Sequence, residues 1–190
     1  DTTLREYRIW KHKIGTPPSS DQMVYEEKDE TFGAFVYKTK SKKYIVIGSY
    51  STLSQEYRYV DATKPDEPFT VFQPRERGLE YSIEHFNDIW YIRTNLDAKN
   101  FRLMKTPLSA TAKQNWIEVI PNRNDVLFEG FDVFKDYLVL SERKAGITQL
   151  RVIPTQGQEH YIEFGESAYV AFTSINPEFD TEILRLNYQS

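Results

Sequence analysis

Short apolar runs rich in Tyr, Ile, Val and Phe recur along the chain, separated by polar and proline-containing segments. Such runs read as β-strands. No stretch of about 12 residues keeps a clean helical period. The clearest anchor is an arginine set between large apolar or aromatic residues: Tyr7-Arg8-Ile9, Tyr57-Arg58-Tyr59, Phe101-Arg102-Leu103 and Leu150-Arg151-Val152. These arginines lie 50, 44 and 49 residues apart. Each anchor is followed by a further apolar run: Met23–Tyr25, Phe69–Phe72, Trp116–Ile120 and Tyr161–Phe164. The last three are also preceded by two runs: Ala34–Tyr37 with Tyr44–Ile47, Tyr81–Phe86 with Ile89–Ile92, and Phe131–Phe134 with Tyr137–Leu140.

That spacing makes four strands per repeat of about 45–50 residues, the period of a β-propeller blade. The wording repeats as well. Gly130–Pro154 echoes residues 82–106, with Phe134-Lys135-Asp136-Tyr137 falling on Phe86-Asn87-Asp88-Ile89. The second strand of each unit is apolar on both faces, as in Tyr44-Ile45-Val46-Ile47 and Tyr137-Leu138-Val139-Leu140. A strand with one wet face would alternate, so packing of sheet on sheet from both sides is expected. The anchor arginines are expected to lay their stems on apolar surface and keep their guanidinium groups in water. Leu184-Arg185-Leu186 comes too early for a fifth anchor. Ala168–Ile175 and Ile183–Tyr188 instead read as the first two strands of a last unit. The expectation is an all-β chain, a propeller fragment of four-stranded antiparallel blades. Half a blade spans 1–27, whole blades span 32–73, 79–120 and 126–164, and a second half spans 168–190.

Composition adds exclusions. Hydrophobic residues make up 39% and aromatics 15% of the 190 residues, too many for a disordered chain. A net charge of −4 implies no general attraction to nucleic acid or anionic lipid. No apolar run is long enough for a membrane helix. The basic run Lys38–Lys43 reads as a solvated hairpin turn. Without cysteine, thiol nucleophiles, disulfides and zinc–thiolate sites are excluded. A cytoplasmic location is the expectation. The periplasm stays open, because the chain opens at Asp1 without a Met and its natural N-terminus is expected upstream.

Motifs for catalysis are missing. No nucleophile elbow, phosphate loop, dinucleotide fingerprint, calcium loop or zinc-protease motif occurs. His12, His85 and His160 are scattered and read as structural. Glu26–Glu30 reads as a solvated loop between blades. No catalytic residue, cofactor or metal ligand is therefore assigned. In a four-stranded antiparallel blade, loops joining strands 2 and 3 emerge at the same end as loops joining one blade to the next. Here that end gathers Glu27–Thr31, Arg75–Arg77, Asn122–Asp125 and Arg143-Lys144. Arg75, Arg77, Arg123 and Arg143 are the candidates for contact with another domain or with peptide. Cut strands at both termini leave open edges, a recognised route to self-association.

The residues also carry a resemblance. "YRIWKHKIGTPPSSDQMVYEEKDETF" (7–32), "GLEYSIEHF" (78–86), "LFEGFDVFKDYLVLSERKAGITQLRVI" (127–153) and "AYVAFTSINPEFDTEILRLNYQS" (168–190) resemble the oligopeptidase B group of the prolyl oligopeptidase family of serine peptidases. That resemblance runs in order along essentially the whole chain. It implies a parent with a seven-bladed propeller and an α/β-hydrolase domain, cleaving short peptides after Arg or Lys. It also implies that the catalytic triad, the oxyanion hole and the acidic pocket lie beyond Ser190, and that the propeller caps and gates the active site. Partners implied are the hydrolase domain and short basic peptides, with neither nucleic acid nor membrane. Two rival readings are a WD40-like interaction platform, for which no Trp-Asp or Gly-His dipeptide is present, and a carbohydrate-active propeller, for which no repeated inward carboxylate is evident.

Overall fold

A computed structural model of the protein describes residues 4–190. The described residues form two compact units, one ending at Tyr81 and the other spanning Ser82–Ser190. Every sheet in both is antiparallel and runs in chain order, as hairpin-connected strands do.

In the first unit, β1 (Arg8–Lys11) pairs with β2 (Gln22–Glu26) in a two-stranded sheet. A four-stranded sheet follows, built from β3 (Gly33–Lys38), β4 (Tyr44–Ser51), β5 (Ser54–Asp61) and β6 (Thr70–Gln73). Lys38–Lys43 lies at the β3–β4 hairpin, where Thr39 N donates to Tyr44 O at 2.9 Å. Consecutive residues Val46, Ile47, Gly48 and Ser49 are all buried, so β4 is covered on both faces. Gly48 is required by its neighbour: a Cβ there would sit 2.4 Å from the Phe35 ring across the β3–β4 pair. Phe35 in turn meets Tyr50 and Tyr57 in tilted and edge-on contacts with centroids 5.7 and 6.1 Å away. Tyr81 closes this core. Its hydroxyl donates to Gln73 O at 2.6 Å and accepts from Tyr57 N at 3.1 Å. Burial raises its pKa, so it stays protonated as that donor.

The second unit holds β7 (Tyr81–Phe86, from its second residue on), β8 (Ile89–Thr94), β9 (Arg102–Pro107) and β10 (Ile117–Ile120) in one four-stranded sheet. Another contains β11 (Val126–Val133), β12 (Tyr137–Lys144), β13 (Ile147–Pro154) and β14 (His160–Tyr161). A final pair joins β15 (Val170–Thr173) to β16 (Leu186–Gln189). Leu103, Phe128 and Leu140 pack as one apolar cluster, and Phe134, Val139, Leu150 and Ala171 as another. Trp90 is fully buried, with His85 edge-on at 5.1 Å, which makes His85 a core residue. The echoed tetrapeptides are the first hairpins of their sheets. Asn87 and Asp88 both take positive φ, 47° and 57°, as a two-residue primed turn demands. At the other hairpin Phe134 N donates to Tyr137 O at 3.0 Å.

The sheets reproduce the strand content read from the sequence, with altered ends. Arg143-Lys144, expected in a loop, belongs to β12, and the reversal falls on Ala145-Gly146 with φ of 48° and 85°. Arg143 is therefore a strand residue paired with Thr148, not a loop residue. β14 keeps only two residues, and β16 begins at Leu186 rather than Ile183. Asn176 occupies the gap before β16: its side chain accepts from Arg185 N and donates to Arg185 O, capping backbone groups a ladder would otherwise use.

Candidate functional site: the charged end of the sheets

Loops between sheets and the hairpins joining second to third strands meet at one end of each unit. In the first unit Gly78 N donates to Leu53 O at 2.9 Å, and Ser54 Oγ to Glu76 O at 2.9 Å. In the second unit Asn100 Nδ2 donates to Arg123 O and Asn124 O, and Asn100 N to Asn122 Oδ1. The four candidate arginines lie at these ends.

Arg75 turns inward. Its guanidinium donates to Glu27 at 2.7 Å and lies 3.4 Å from Glu56, and its backbone N–H donates to Glu56 at 3.0 Å. The planar group also sits 4.0 Å from the Phe32 ring centroid. Glu27 is only 4% exposed, which corrects the solvated-loop expectation for this residue. Tyr25 Oη donates to it at 2.7 Å and Asp29 N at 3.0 Å. Burial alone would push the Glu27 carboxyl up. The donors from Arg75, Tyr25 and the Asp29 backbone together outweigh burial and hold it down, at about 2. Arg58, the anchor arginine of β5, donates to Glu56 and stacks over Tyr25 at 4.2 Å. Two arginines, two glutamates and a tyrosine thus form one charge-balanced clasp. Arg5 adds to it from the other side, donating to the carbonyls of Asp29 and Phe32 at 2.8 and 2.7 Å.

The second unit builds a related clasp around Glu142, 2% exposed. Tyr161 Oη donates to it at 2.7 Å, Arg151 approaches at 3.4 Å and Arg123 at 3.8 Å. Arg151 is also held by Glu159 at 2.6 Å, and Arg123 by Tyr161 at 3.1 Å and Asp125 at 3.3 Å. Burial, followed by the hydrogen bond to Glu142, raises the Tyr161 hydroxyl pKa. Arg143 is partly spent too, donating to Glu129 at 2.7 Å and to Gly146 O at 3.1 Å. Arg77 is different: it is exposed, and it makes no hydrogen bond or ion pair with any described residue.

The anchor arginines were expected in water. Arg58, Arg102 and Arg151 are instead largely buried and paired with carboxylates. One signal for this stood in the sequence: Glu56 and Arg58 are two apart on a strand and share a face. Glu27 has local partners in Tyr25 and the Asp29 N–H, but nothing local marks its pairing with Arg75, 48 positions away, or that of Glu142 with Tyr161, 19 positions away. Among the described residues no group of three or more His, Asp or Glu side chains is placed to hold a metal ion. Among the described residues no helix is long and apolar enough to cross a membrane.

Sheets of this strand order, with buried second strands and inter-sheet loops clasped at one end, define the blades of a β-propeller. Residues 1–190 match the model of the prolyl oligopeptidase N-terminal beta-propeller domain, and the chain belongs to that family. It is similar to dipeptidyl aminopeptidase BI of Pseudoxanthomonas mexicana, with 41% identity over 99% of this chain and 26% of the relative. Protease 2 of Moraxella lacunata is 30% identical over the whole chain and 27% of its own length. A solved structure of oligopeptidase B from Trypanosoma brucei, in a closed form with covalently bound antipain, superposes with a TM-score of 0.89. It shares 29% identity over 98% of this chain and 28% of that one. The chain therefore spans about a quarter of the length of the curated relatives it matches.

Proposed function

We propose that this chain is the non-catalytic propeller portion of an oligopeptidase B-like serine peptidase that cleaves short peptides after Arg or Lys. Its α/β-hydrolase domain would lie outside residues 1–190, and the propeller, seven-bladed when whole, would cap that domain and restrict access to small substrates. The observation that carries the reading is the family match over residues 1–190. Support comes from a chemistry of clasped loops at one end of the sheets, suited to hold a fixed docking face. The closed, inhibitor-bound form of the trypanosomal relative agrees with an active site that shuts around its ligand. In this reading Arg75, Arg77, Arg123 and Arg143 mark the face toward the hydrolase domain or peptide. Family membership does not favour a WD40-like interaction platform.

A second reading has its own observation. The relative at 41% identity is named a dipeptidyl aminopeptidase, which points to release of dipeptides from free N-termini. One experiment separates the two. The full-length polypeptide is given fluorogenic peptides ending in Arg, Lys or Pro before the reporter, each with a free or a blocked N-terminus. Cleavage after Arg and Lys with the N-terminus blocked supports the oligopeptidase reading. Cleavage confined to free-amino dipeptides supports the second. Cleavage after Pro alone, or of folded proteins as fast as of peptides, overturns the proposal.

A further inference from the structure

We infer that the groove between the β1–β2 sheet and the β5–β6 connection binds the C-terminus of a short peptide, with Arg58 and Lys13 taking its carboxylate. This rests on the proposed function only in making short peptides the ligands the molecule meets. The groove encloses about 960 Å3, the size of a small-ligand site. Tyr25, Ile47 and Arg58 form its floor, and the β1–β2 hairpin and Pro65–Phe69 its two rims. The hairpin is shaped before any ligand arrives. Thr16 N and Oγ1 both donate to Lys13 O, at 3.1 and 2.6 Å. Ser20 N and Oγ both donate to Pro17 O, at 2.9 and 2.7 Å. Lys11 ties this rim to Asp66 on the other.

The groups left unspent define the ligand. Of the charged side chains lining the groove, Lys11 is paired with Asp66, and Glu67 with Lys64 at 3.3 Å. Arg58 is fixed in place by Glu56 and by the Tyr25 ring, 4.2 Å away. It gives Nη2 to Glu56, but its Nε–H is buried with no acceptor, and no described residue accepts from Nη1. A buried donor without an acceptor is costly, and nearly all such groups in native proteins have one. Lys13 is exposed and pairs with no described residue, so the lining keeps one uncompensated positive charge. Both lining carboxylates are already taken. The complement is a single carboxylate, which suits a positioned guanidinium. Two further features select a peptide. Thr16 and Ser20 spend their hydroxyl hydrogens inside the hairpin, which leaves their oxygens to accept peptide N–H groups. Met23, 46% exposed, offers with Pro68 and Phe69 an apolar wall for the last side chain.

The test titrates the full-length polypeptide, its active site blocked by a serine-directed covalent inhibitor, with an acetylated tripeptide ending in Phe, as the free acid and as the amide. Calorimetry is expected to show the acid binding about tenfold more tightly than the amide. Lys13→Ala is expected to weaken the acid about threefold or more and to leave the amide unchanged. Met23→Trp fills the groove and is expected to weaken both. Both residues are exposed, so neither change is expected to move the urea midpoint; if Met23→Trp does, Lys13→Ala decides alone. Equal binding of acid and amide, an acid titration that Lys13→Ala leaves unchanged, or octanoate binding as tightly as the peptide overturns the inference. A full-length polypeptide that cleaves no peptide refutes the peptidase reading instead, and the titration still decides the inference.

Discussion

Glu27→Gln removes one negative charge from the first clasp and keeps the shape of the side chain. In the wild type the carboxylate receives Arg75, Tyr25 and the Asp29 N–H while almost fully buried. Each tenfold change in proton affinity corresponds to about 1.4 kcal/mol. A carboxyl held at about 2, against its usual 4.5, therefore gives the folded state about 3 kcal/mol at neutral pH. That matches the about 3–5 kcal/mol lost when one partner of a buried ion pair is removed. The sign follows from the depressed pKa. The contribution is complete above the unfolded value near 4.5 and is lost as pH falls from there toward 2. Urea denaturation at pH 7 is expected to show Glu27→Gln destabilised by about 3 kcal/mol. Repeated at lower pH, the gap between variant and wild type is expected to narrow once the pH passes below about 4.5. A loss under about 1 kcal/mol at pH 7, or a gap that does not change with pH, would refute the clasp as a source of stability.

Other perturbations probe the remaining structure. Gly48→Ala places a methyl against the Phe35 ring and is expected to cost about 1–3 kcal/mol; in a Phe35→Ala background the same substitution should cost less in a thermal melt, and strict additivity would contradict the contact. Glu142→Gln leaves Arg123 and Arg151 beside an uncharged side chain and is expected to lower stability by about 3 kcal/mol or more, seen as a shifted urea midpoint without a changed slope. Gly146→Ala, at φ +85°, should cost about 1 kcal/mol, whereas no loss would mean the turn readjusts. β1 and β16 each have a single hydrogen-bonded neighbour, so sedimentation velocity of residues 1–190 should show concentration-dependent association; a clean monomer at every concentration would count against it.

The fold was largely legible because its signals are local and repeated. Hydrophobic runs such as Ile89–Ile92 and Tyr137–Leu140 name buried second strands directly. Of the anchor arginines, Arg58 and Arg151 share a register, opposite Ile47 and Leu140 of their second strands, whereas Arg102 is shifted by two residues, opposite Thr94. Strand ends were less legible: the chain continues β12 through Glu142-Arg143-Lys144 because Ala145-Gly146 supplies the turn, a choice that charge alone cannot reveal. Sheet termini are also where side chains replace the ladder, as at Asn176. The site was half legible. Antiparallel topology brings the charged loops to one end, but whether an arginine there faces water depends on a carboxylate far away in sequence. Arg75 and Arg77 are two residues apart and look alike in the sequence; Glu27, 48 positions from Arg75, is what separates their roles.

The central claim is that this chain supplies the propeller portion of a serine peptidase whose reactive serine lies elsewhere in the polypeptide. Labelling the full-length polypeptide with a serine-directed covalent inhibitor, then mapping the modified peptide, tests it directly. The account predicts a single labelled serine outside residues 1–190. A label on any serine within residues 1–190, or no covalent label at all, would contradict it.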